Sequence, residues 1–94
     1  MCYTIIIKHV LISGKVQGVW YRASTKQKAH ELEIKGWVQN TSDGKVEAVF
    51  QGKDDNVKEM IKWCYQGSPL SNVEKVDVID SSNDLNFDEF KIKD

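Results

Sequence analysis

The sequence predicts an α+β fold: a split βαβ sandwich of order β-α-β-β-α-β with a short strand appended, both helices on one face of an antiparallel sheet. Three observations predict it. Apolar and polar residues alternate over short stretches bounded by glycines. Val57, Met60, Ile61 and Cys64 recur at i, i+3, i+4 and i+7, the period of a helix face. Between the two halves, Asp43-Gly44 carries the signature of a tight hairpin. The 94 residues suit one domain over 1–94. At this size roughly 60–65% of the unfolded chain's surface can be buried.

The first strand is the β-branched run through Val10, Leu11 and Ile12, preceded by Ile5-Ile6-Ile7 and ending at Gly14. Val10 and Ile12 face the core, and His9 and Ser13 share the more polar side. Residues from about Trp20 to Leu32 favour a helix, with Ala29 and Leu32 inward and Gly36 as its stop. Trp37-Val38-Gln39 is a short strand, Thr41 to Gly44 the turn, and Val46, Ala48 and Phe50 the inward residues of the third strand. The second helix runs from about Asp54 to Tyr65. Asp54 and Asp55 suit its dipole and are expected to cap it, and Gly67-Ser68-Pro69 ends it. Val73, Val76 and Val78 mark a fourth strand, and Phe87, Phe90 and Ile92 a terminal fifth.

Composition narrows the function. The chain is 40% hydrophobic and 29% charged, ordinary for a soluble domain, and has no apolar run approaching the ~20 residues of a membrane span. The first residues lack a basic region and a cleavage site, which points to the cytoplasm. Thirteen basic and fourteen acidic residues give a net charge of −1, without the positive field that nucleic-acid binding draws on. Cys2 and Cys64 form no CxxC pair and read as free thiols. One small domain suggests a monomer.

The chemistry concentrates between the first strand and the first helix, in Gly14-Lys15-Val16-Gln17-Gly18-Val19-Trp20-Tyr21-Arg22. Two glycines permit unusual backbone geometry and close approach. The loop enters a helix N-terminus, where unpaired N–H groups favour an anion. Arg22 adds a planar fork that grips two phosphate oxygens. These features describe a small phosphate cradle, though an ordinary glycine-containing βα turn has the same look. It is not a nucleotide-binding P-loop, since Val19 rather than Lys follows Gly18. Asn40 lies where the second strand gives way to the turn. Asparagine there is commonly a turn former; alternatively, its carboxamide orients a water without acting as a base.

Residues Ile12 through Arg22 resemble the first signature of the acylphosphatase family, and Gly36 through Val46, continuing to Gly52, resemble the second. Together they cover about a third of the chain, in the right order and separation. The resemblance implies a single acylphosphatase-like domain with the family's ferredoxin-like split βαβ fold. It also implies a metal-independent hydrolase of small acyl phosphates that needs no cofactor. Arg22 would be the phosphate-binding arginine and Asn40 the water-orienting asparagine. Gln17, Gly18, Val19, Trp20 and Tyr21 would supply cradle amides to a phosphate or other small anion. Tyr21 departs from the family's usual phenylalanine; its ring packs the same way where its hydroxyl finds water or a partner. Lys93 replaces the arginine usual after the terminal Phe-x-Ile.

An acyl phosphate releases a carboxylate, a weak base that departs with little protonation, so the two signatures need no acid at their key positions. Rival readings have less behind them. An RNA-recognition module of the same strand order would stack bases on strand aromatics, and the third strand carries only Phe50. A non-catalytic phosphate-binding version of the fold is disfavoured by the presence of both Arg22 and Asn40. His9 and His30 have no ligand partners at metal-binding spacing. Asp80 to Asp84 lacks the glycine and glutamate of a calcium loop. Trp37, Trp63 and Tyr65 read as packing residues, and Cys64 as core.

Overall fold

A computed structural model of the chain describes residues 5–79 and 87–93. Its elements, in chain order, are β1 (Ile5–Lys15), α1 (Tyr21–Glu31), β2 (Lys35–Asn40), β3 (Val46–Lys53), α2 (Asp54–Gln66), β4 (Asn72–Ile79) and β5 (Phe90–Lys93). They form one sheet in the order β4-β1-β3-β2-β5. Cys2 and the Asp80–Asp84 turn lie outside the described residues.

Alternation in β1 and β3 sets the register. Val10 lies opposite Ala48 and Ile12 opposite Val46, and all four are fully buried. A slip by one residue would turn every one of them to the other face. Val57, Met60 and Cys64 are the buried stripe of α2, and Tyr21, Thr25 and Ala29 that of α1. The two stripes and the inner face of the sheet share a single apolar cluster. Burying each large apolar side chain contributes about 1.5–3 kcal/mol. The ring of Phe50 stacks on that of Phe90 at 6.0 Å, joining β3 to the terminal strand.

Three strand pairings are antiparallel, and β5 runs parallel to β2, so the split βαβ sandwich is built on a mixed sheet. The direction follows from the chain path. β4 is antiparallel to β1, and a strand returning from β4 runs with β1 and β2. Phe87 falls short of β5. Its N–H donates to Gln51 Oε1 at 3.1 Å, so a side-chain amide stands in for a strand partner. Val78 is 48% exposed because β4 is an edge strand, and only Val76 of its valines is fully in the core. The cap of α2 also differs from expectation. β3 runs straight into the helix, so Lys53 occupies the cap position with extended backbone, and its side chain makes no capping hydrogen bond to the helix start. Asp54 and Asp55 sit inside the first turn, where they suit the dipole, and Asp54 also pairs with Lys58 one turn on at 3.5 Å. Trp63 packs against Tyr21 at 5.6 Å, whereas Tyr65 is 58% exposed and only its hydroxyl is engaged, donating to the Val76 carbonyl at 3.3 Å. On the opposite face, Trp37 meets His9 edge-on at 5.9 Å, and the His9 ring is bonded to Glu47 at 2.6 Å. No described helix is long and apolar enough to cross a membrane.

Candidate active site

The loop from β1 to α1 begins at a register shift between Ser13 and Gly14. Gly14 has φ +122°, and a Cβ there would overlap the Asn72 carbonyl oxygen on β4. Only glycine lets the strands close at this point. Gly18, at φ +74°, has open space around it, so its requirement is conformational. Val16 and Val19 are buried and anchor the loop from beneath. Trp20 caps α1 in the left-handed conformation, φ 63° and ψ 19°, which costs an L-residue about 1–2 kcal/mol. Val19 between them stays at negative φ. Such alternation of hand turns successive N–H groups toward one concavity, an arrangement that suits anions. Trp20 is 76% exposed, its indole standing out from the loop into solvent.

A cleft of about 390 Å³ opens beside this loop, and Gly18, Trp20, Tyr21 and Arg22 of the expected site residues line it. Gln17 and Val19 do not. Val16, Ala23 and Ile92 complete the wall, so none of its described residues is acidic. The first turn of α1 likewise carries no acidic side chain to compete with an anion at the helix start. Arg22 reaches toward β5, its Nη1 donating to the Lys93 carbonyl at a long 3.5 Å. Lys93 is the register partner of Gln39, the residue before Asn40.

Gln17 turns its side chain the other way. Its Nε2 donates to the Thr41 carbonyl at 2.9 Å and the Lys45 carbonyl at 2.8 Å, the two ends of the β2–β3 turn. Asn40 is therefore tied on both flanks: Thr41 to the loop through Gln17, and Gln39 through β5 to the reach of Arg22. Asn40 itself is not part of the cleft wall. Its Oδ1 is buried, and no donor among the described residues reaches it. A buried acceptor left unpaired costs about 1–3 kcal/mol. The turn that follows is held by the Thr41 hydroxyl, which receives the Lys45 N–H at 3.0 Å and donates to Asp43. That last bond holds the Asp43 carboxyl below its usual range.

The Tyr21 hydroxyl finds its partner in the core, donating to the Cys64 carbonyl at 2.8 Å. Burial raises the phenol well above its ordinary value. Burial likewise pushes the Cys64 thiol up to about 12, leaving it inert as a nucleophile. Two contributors were hidden from sequence reasoning. The Gln17 side chain serves as a strap rather than only its amide as a donor, and Ser68 donates to the Val19 carbonyl at 2.7 Å. The first had a signal in a long polar side chain inside an apolar loop. Ser68 had none beyond its place in a helix-ending sequence.

The family model for acylphosphatases matches residues 8–92. The chain is 55% identical over 69 residues to an acylphosphatase of Natronomonas pharaonis, covering 73% of this chain and 75% of that one. It is 46% identical over 84 residues to an acylphosphatase of Methylococcus capsulatus, covering 89% and 91%. Its fold is similar to the solved structure of an acylphosphatase from Coxiella burnetii, with a TM-score of 0.89, 36% identity, and coverage of 95% of this chain and 93% of that one. The chain belongs to the acylphosphatase family. Its class is hydrolase and its reaction the hydrolysis of acyl phosphates.

Proposed function

We propose that the chain cleaves the carboxyl–phosphate bond of small acyl phosphates by in-line attack of a water that Asn40 orients. The phosphoryl group is held by Arg22 and by amides of the loop, of whose residues Gly18, Trp20 and Tyr21 line the cleft. The observation that carries this reading is the place of Asn40 at the end of β2, beside a turn whose Thr41 and Lys45 carbonyls Gln17 straps to the cradle loop. The Asn40 carboxamide, which can both accept and donate, orients the water so that a lone pair points toward phosphorus. The alternating backbone at Gly18 and Trp20 and the fork of Arg22 stabilise charge on the equatorial oxygens of the transition state.

Proton traffic is light. The leaving carboxylate is a weak base and departs unprotonated. No described acid or histidine lines the cleft to act as a base, so the attacking water gives its proton to the phosphate oxygens of the substrate. The products are a carboxylate and inorganic phosphate. Binding energy directed at the phosphoryl group reads little of the acyl group, which gives breadth among small acyl phosphates. We also infer that residues 1–94 work as one acylphosphatase-like domain. It acts as a cytoplasmic monomer, without metal, cofactor, nucleic acid or membrane partner.

The test is hydrolysis of benzoyl phosphate in the presence of chelator, with a phosphate monoester as control. Turnover of the acyl phosphate alone is expected. Activity confined to the monoester, or appearing only with added metal, would place the chain's chemistry elsewhere.

A further inference from the structure

We propose that Ser68 is a positioning residue of the phosphate cradle, holding the Val19–Trp20 peptide so that the Trp20 amide faces the anion. The inference rests on the cradle reading above. Ser68 follows α2, is only 2% exposed, and its Oγ donates to the Val19 carbonyl at 2.7 Å across 49 residues of sequence. A peptide unit is planar and trans, so the C=O of Val19 and the N–H of Trp20 point in opposite directions. Fixing the oxygen on the buried side toward Ser68 turns the hydrogen outward, to the side where Gly18, Trp20 and Arg22 line the cleft.

The second peptide of Trp20 is pinned as well. Its carbonyl accepts the Ser24 N–H at 3.0 Å in the first turn of α1. Both peptides flanking a left-handed tryptophan are thus held by hydrogen bonds, the condition under which a strained backbone conformation persists. Ser68 is fixed in turn, since its carbonyl receives the Ser71 hydroxyl at 2.7 Å and the Ser71 N–H at 3.0 Å. The Tyr21 hydroxyl on the Cys64 carbonyl ties the same helix start to the last turns of α2. The loop is therefore set from below by the end of α2, an element that does not line the cleft. With its proton committed to Val19 and its oxygen buried, Ser68 is not a nucleophile.

The test follows the amide resonances of the full chain by ¹H–¹⁵N NMR during titration with inorganic phosphate, for wild type, Ser68→Ala and Ser68→Thr. In wild type the Trp20 amide shifts on saturation. Ser68→Ala binds phosphate about tenfold more weakly, as expected when one hydrogen bond to a charged group loses its aim. Its Trp20 shift shrinks while the core amides of β1 and β3 stay where they were. Ser68→Thr keeps the hydroxyl and stays within about threefold of wild type, separating the hydrogen bond from packing. Ser68→Ala binding phosphate as tightly as wild type, or both variants weakening equally, overturns the role of Ser68 and leaves the cradle standing. A wild-type Trp20 amide indifferent to saturating phosphate overturns the cradle reading itself, and this inference with it.

Discussion

Replacing Gln17 with methionine preserves most of the side chain's volume and the backbone N–H while deleting both straps to the β2–β3 turn. The two bonds, at 2.9 and 2.8 Å, are partly buried and end on backbone carbonyls. At about 0.5–1.5 kcal/mol each, their loss together costs about 1–3 kcal/mol. In a domain of this size 1 kcal/mol moves the melting temperature by about 4–8 °C, so a fall of roughly 4–24 °C is expected in a calorimetric or circular-dichroism melt. The kinetic signature is more specific. The straps tie the turn bearing Asn40 to the loop, while Arg22 and the amides remain in place. Gln17→Met therefore lowers kcat on benzoyl phosphate, by on the order of tenfold to a hundredfold for a shift of about 1 Å, and changes phosphate inhibition much less. A variant that melts like wild type and turns over at the wild-type rate would refute the strap. A loss of phosphate affinity matching the loss of kcat would show that Gln17 serves the grip and not the water.

The other predictions concern the grip, the strand junction and the buried thiol. Arg22→Ala should raise KM and the inhibition constant of phosphate and cut turnover by about 10²–10³, measured by steady-state kinetics with phosphate as competitor. Gly14→Ala places a Cβ on the Asn72 carbonyl at a φ few side chains adopt, and should destabilise the chain by about 1–3 kcal/mol in a denaturant melt. The Cys64 thiol, raised by burial to about 12, stays protonated in the folded chain at pH values where the unfolded chain loses its proton. The unfolded state binds fewer protons there, so stability falls as pH rises from about 9 toward 12, and Cys64→Val should flatten that slope in melts across the range.

What the sequence made legible and what it did not divide along contact range. Alternation in β1 and β3, the Val57–Met60–Ile61–Cys64 period of α2 and the Asp43-Gly44 turn are local signals, and each lies where it was expected. The loop with Gly14, Gly18 and Arg22 was legible for the same reason, because a helix start, two glycines and a guanidinium adjoin in the chain. α1 was less distinct, since its buried face includes Thr25 beside Ala29 and Tyr21. The Gln17 strap spans 24 and 28 residues and the Ser68 bond 49, distances at which no periodicity operates. Trp20 in the left-handed region was equally hidden, because residue type favours glycine there and only the surrounding bonds hold a tryptophan. The cap of α2 misled because two aspartates look like a cap wherever a strand runs into a helix without a linker.

The most direct measurement is the kinetics of Asn40→Ala on benzoyl phosphate, with inorganic phosphate binding measured beside it. Removing the carboxamide should lower kcat by about 10²–10³ and leave phosphate affinity within a few-fold of wild type, because Arg22 and the loop amides are untouched. Turnover close to wild type, or a fall in phosphate affinity as large as the fall in kcat, would contradict the assignment of the attacking water to Asn40.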